Sequence, residues 1–121
     1  YTGIYEFRGG SLQVLETQMA VGIEVIAEKL RGMNREVIFL GDGVPVFRKR
    51  LEEELMAGAA FSFAPAHLNK QRAGAVGALA LQYLREGKTV SAAEHRPTYL
   101  RLSQAERERL EQEKNRKQEE S

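Results

Sequence analysis

Cysteine is absent from the 121-residue chain, which excludes a disulfide scaffold, a thiolate metal site and a cysteine nucleophile. Aspartate is nearly absent: Asp42 stands alone beside sixteen glutamates. The two histidines, His67 and His95, lie 28 positions apart, with no H-x-x-x-H or H-E-x-x-H spacing around either. Metal-assisted hydrolases and phosphotransferases assemble several carboxylates or histidines at one place. Here only scattered glutamates would be on hand, so no catalytic or metal-ligating residue is assigned. Long apolar runs are missing too. None approaches the ~20 residues of a membrane span, and the chain does not open on a secretory leader pattern. These absences predict a soluble, cytoplasmic protein with no membrane partner.

What is present is globular: 42% hydrophobic and 29% charged residues, at a length that fits one domain. The net charge is +1. Residues 1–60 hold 7 basic and 9 acidic side chains, residues 61–121 hold 11 and 8. That asymmetry is too small to mark a nucleic-acid face.

Tyr1 to Phe7 is rich in aromatic and β-branched residues and reads as a strand. Arg8-Gly9-Gly10-Ser11 is a turn signal, and Leu12 to Thr17 resumes the alternation, which predicts a β-hairpin. A strand that starts at the first residue predicts that Tyr1–Ser121 is part of a longer polypeptide. From Val21 the period becomes helical through Ile23, Ile26, Ala27 and Leu30, ending at Gly32 and Asn34. Glu36 to Leu40 carries an apolar run that reads as a buried parallel strand. After Gly41-Asp42-Gly43, Pro45 opens a helix with a Val44, Phe47, Leu51 and Leu55 stripe. Phe61-Ser62-Phe63 is a further short strand. Asn69 to Glu86 reads as a helix apolar almost all round, predicted to be buried on more than one side and ended by Gly87. Ser103 is placed to cap a charged, solvated tail helix over residues 103–121 that frays toward Ser121.

The order of elements, Gly41-Asp42-Gly43 after its strand, the alanine-rich helix, and above all Pro97-Thr98-Tyr99-Leu100-Arg101-Leu102-Ser103-Gln104-Ala105-Glu106 resemble the C-terminal half of the bacterial TsaB (YeaZ) family. The resemblance spans residues 1 to about 106. It implies an α/β fold: a ribonuclease-H-like lobe of the actin/Hsp70 (ASKHA) superfold, with a mixed sheet, flanking helices and its first strand missing. Residues 1–102 would form that incomplete C-terminal lobe and 103–121 the tail, with the N-terminal lobe absent from this chain. A lobe without its first strand would expose a sheet edge.

The resemblance also implies a function. The family supports TsaD, which carries the metal and the transfer chemistry, in placing a threonylcarbamoyl group on adenosine 37 of tRNA. A TsaE-like ATPase assists, so ATP serves the wider complex and no cofactor is expected in this chain. The expected role is a non-catalytic partner subunit that meets tRNA indirectly. Pairing with TsaD, or as a homodimer, would use the missing N-terminal lobe. The same superfold also hosts nucleotide-dependent phosphotransferases and ATPases, which is the alternative reading.

Two segments are candidate sites. Gly41, Asp42 and Gly43 fit a nucleotide-contacting loop at a helix N-terminus, or a tight turn in which Asp42 caps the helix; the second reading is favoured. Tyr99, Leu100 and Arg101 fit a partner-docking segment, or a plug at a core edge with Arg101 wet at its tip; packing is favoured. His67 and His95 read as structural or exposed. Arg48-Lys49-Arg50 followed by Glu52-Glu53-Glu54 reads as an internally paired, solvated face. Gly74 and Gly77, with Ala73, Ala78 and Ala80, read as close helix-on-sheet packing in preference to a partner face.

Overall fold

The structure, a computed structural model, describes residues 1 to 119, with side chains through residue 116. It is mixed α/β, and the chain divides into two compact units: Tyr1–Ala20 with Arg96–Ser121, and Val21–His95.

In the first unit, β1 (Thr2–Arg8) and β2 (Ser11–Met19) form an antiparallel hairpin. Gly9 and Gly10 both have positive φ, 58° and 80°, the type I′ geometry whose twist suits a two-residue hairpin. The turn pairs Arg8 with Ser11, and hence Phe7 with Leu12 and Tyr5 with Val14. Ile4 is buried, and Gln18 Nε2 donates to the Tyr5 hydroxyl at 2.9 Å. The unit also holds α4 (Gln104–Glu119). Ser103 caps it as expected. The Glu106 N–H donates to Ser103 Oγ at 3.3 Å, while the Ser103 backbone N–H donates to the Glu106 carboxylate at 2.9 Å, a reciprocal capping box. The expected fraying reaches residues 120 and 121, which lie outside the described residues.

The second unit begins with α1 (Ile23–Met33), which buries Ile26, Ala27 and Leu30 on one face. Asn34 ends it in the left-handed conformation at φ 49°, its N–H donating to the Arg31 carbonyl. β3 (Val37–Phe39) pairs in parallel with β4 (Phe61–Phe63) as expected, but its expected burial is corrected: Val37 and Phe39 are half-buried, while Ile38, on the opposite face of the strand, and Leu40 are exposed. Phe39, Phe61 and Phe63 cluster with ring centroids 5.7–6.1 Å apart. The Arg48 guanidinium sits 4.5 Å from the Phe63 ring centre and covers the cluster.

Between these strands, α2 (Val44–Arg50) runs directly into a π-helical segment, Leu51–Leu55. The Met56 N–H donates to the Leu51 carbonyl at 2.9 Å, an i→i+5 bond. An α-helix would place residues five apart roughly 140° from one another around the axis. The wider turn brings Leu51 and Met56 toward one face, where they are 1% and 0% exposed. The expected stripe is therefore altered at its end: Met56 is fully buried and Leu55 only half-buried.

A 3₁₀ turn (Ala66–Leu68) and α3 (Ala73–Arg85) complete the unit. α3 starts later than the pattern predicts. The Asn69 N–H is engaged by the Ala66 carbonyl, and Arg72 is extended at the helix entry. Gly87, at φ 70°, ends it as expected: the Lys88 N–H bonds the Tyr83 carbonyl and the Gly87 N–H bonds the Leu84 carbonyl. The predicted burial of this helix is corrected. None of its residues is buried; Val76 is 66% and Leu84 62% exposed. Its composition suits burial, but no other element packs extensively along it among the described residues.

The strands also depart from the single mixed sheet expected. Among the described residues they form two separate pairs, β1–β2 and β3–β4. A two-residue turn fixes the first pair and a helical crossover the second. Joining the pairs is a non-local event that neither connection specifies. No helix among the described residues is long and apolar enough to cross a membrane.

Core truncation will separate the two kinds of apolar residue in the second unit. Leu51→Ala is expected to cost about 2–5 kcal/mol by urea denaturation, the range for a large-to-small change in a packed core. Leu81→Ala, on exposed α3, is expected to cost less than about 0.5 kcal/mol. Equal losses would show that α3 is packed as tightly as the π segment.

Candidate functional site

Gly41-Asp42-Gly43 leaves β3 through a sharp turn, with Gly41 at φ 117°, a conformation that favours glycine. The first four positions of α2 then account for their own donors. The Val44 N–H bonds the Gly41 carbonyl at 3.2 Å, and Pro45 has no N–H. The Val46 and Phe47 N–H groups both bond the Gly43 carbonyl at 3.1 Å. A phosphate cradle needs such groups directed outward, and here they are turned back on the loop.

The expectation that Asp42 caps the helix is corrected. Gly43 occupies the cap position, with helical φ and ψ and no side-chain capping bond. Asp42 lies one residue too early, and its side chain is exposed. The glycines therefore serve the turn, and the acid next to them is free of the role assigned to it.

Tyr99, Leu100 and Arg101 lie in irregular backbone ahead of the Ser103–Glu106 box. The favoured reading, a plug at a core edge, is corrected: Tyr99 is 85% exposed, and Leu100 and Arg101 are exposed as well. The segment belongs to no strand or helix, so no neighbouring element folds over the ring. Tyr99 thus presents a large apolar ring and a hydroxyl to the surface, the combination favoured where one protein meets another.

The remaining candidates are placed as follows. His67 lies in the 3₁₀ turn and His95 in a loop, both exposed. No group of three or more histidine or carboxylate side chains suited to a metal ion occurs among the described residues. The Arg48-Lys49-Arg50 run pairs internally, as its spacing predicts. Arg48 meets Glu52 at 3.1 Å and Arg50 meets Glu54 at 3.5 Å, both i,i+4. Arg50 also binds Glu24 of α1. A hydrogen bond from its own backbone, then Arg50, holds the Glu24 carboxyl below the ordinary glutamate range; the same pair raises Arg50. Gly74 and Gly77 have open space where a side chain would stand, so the expected close packing of that helix on a sheet is not seen.

One feature escapes the sequence. Glu24, Glu28, Arg31 and Glu54 line an open hollow between α1 and the π segment. Arg31 reaches across to the Ala57 and Leu55 carbonyls, at 2.9 and 3.4 Å, and so closes the end of the π segment. The i,i+4 spacing of Glu24 and Glu28 was visible in the sequence, but the approach of Glu54 depends on tertiary packing. None of the candidate site residues lines this hollow.

No family model, curated protein or solved structure matches the chain.

Two measurements test this site. Since Asp42 caps nothing, Asp42→Ala is expected to change stability by less than about 0.5 kcal/mol, against the 0.5–2 kcal/mol of a lost cap. Titration with a nucleoside triphosphate should give no difference between wild type and Asp42→Asn. Micromolar binding that disappears in the variant would restore the nucleotide reading.

The second measurement concerns Glu106. Its carboxyl is held below the ordinary glutamate range by the Ser103 hydroxyl first and the Ser103 backbone N–H second. A depressed carboxyl contributes stability above its unfolded value and loses it as the pH falls through its folded value. α4 is therefore expected to lose helicity, read by circular dichroism, as acid is added below the ordinary glutamate range. The loss in that window should be smaller in Ser103→Ala, which starts from lower helicity. An identical acid transition in both proteins would remove the box from the account.

Proposed function

We propose that this chain is a ribonuclease-H-like lobe of a non-catalytic scaffold, which supports a TsaD-like protein in transferring a threonylcarbamoyl group to adenosine 37 of tRNA. The reading rests on the resemblance carried by Pro97 to Glu106. The observation that favours it is the exposed Tyr99 ring within that same motif. A large aromatic side chain left at the surface beside a rigidly capped helix suits a contact residue better than a core residue. In this reading the TsaD-like partner holds the metal and performs the transfer, a TsaE-like protein uses the ATP, and tRNA is met through the partner. The main pairing surface lies on the N-terminal lobe, and Tyr99, Leu100 and Arg101 add a secondary contact. The setting is the cytoplasm.

The alternative, a nucleotide-dependent phosphotransferase or ATPase of the same superfold, would draw on the loop before α2. The Val44, Val46 and Phe47 N–H groups at the start of α2 are already engaged by the Gly41 and Gly43 carbonyls, which weighs against it.

Reconstitution tests the proposal. The full-length protein, given tRNA, threonine, bicarbonate and ATP, is expected to yield no threonylcarbamoyl transfer alone, and transfer once TsaD-like and TsaE-like proteins are added. Transfer by the protein alone would overturn the non-catalytic role. Tyr99→Ala in the full-length protein should weaken binding of the TsaD-like partner about tenfold by calorimetry, a typical loss for an aromatic contact, with its melting temperature unchanged. Unchanged affinity would remove Tyr99 from the interface. A lowered melting temperature would return it to the core.

A further inference from the structure

We draw no further inference here: the strongest candidate, the unpartnered apolar surface of α3 around Val76, Leu81 and Leu84, carries nothing because no feature among the described residues shows what covers it.

Discussion

The packing of the π segment against α1 is the interaction on which the Val21–His95 unit depends. Leu51 and Met56 are its most deeply buried side chains, and Ile26, Ala27 and Leu30 are buried along the facing helix. Each large apolar side chain fully removed from water contributes roughly 1.5–3 kcal/mol. The ion pair that reaches α1 from this helical stretch, Arg50–Glu24, is exposed, and such pairs are typically worth about 0–1 kcal/mol. The polar contacts therefore orient the two elements, and the apolar contact holds them. Arg31 has a part in this, since it satisfies carbonyls that the end of the π segment leaves without an intrahelical partner.

The sequence was legible where a local rule decides the outcome. Gly9-Gly10 supplies positive φ twice, so the hairpin and its register as far as Tyr5 and Val14 follow from four residues; the shifts on either side of Ile4 do not. Asn34 and Gly87 end their helices by the same conformational preference, and Ser103 with Glu106 forms its box from spacing alone. The parallel pairing of β3 was also readable from its apolar run, but its burial was not, since Ile38 stands on a face without cover. Legibility failed where the outcome is set by contacts distant in the chain. Nothing in Leu51-Glu52-Glu53-Glu54-Leu55-Met56 distinguishes an α turn from a π turn; the demand that Leu51 and Met56 share one face does. Asp42 had the right residue type for a cap and the wrong position by one residue. The α3 helix and Tyr99 show the reverse case: their composition predicts burial, and burial needs a neighbour.

Charge and apolar surface are distributed unevenly over the molecule. In the only run of three consecutive cations, the two arginines are paired, Arg48 with Glu52 and Arg50 with Glu54 and with Glu24 of α1, and Arg48 also lies over the Phe63 ring. Large apolar side chains are exposed along the chain, among them Phe7 of β1, Val46 of α2, Val76, Leu81 and Leu84 on α3, and Tyr99 before α4.

The π segment has one consequence for the way this chain can change over evolutionary time. It spends five residues on a step that an ordinary α-helical turn makes in four. If one of Glu52, Glu53 and Glu54 were deleted, the two large apolar residues would stand four apart, which an α-helix places on the same face. The interior would be nearly the same and one exposed carboxylate would be gone. This stretch is thus a position where the chain can lose a single residue without a compensating change in the core.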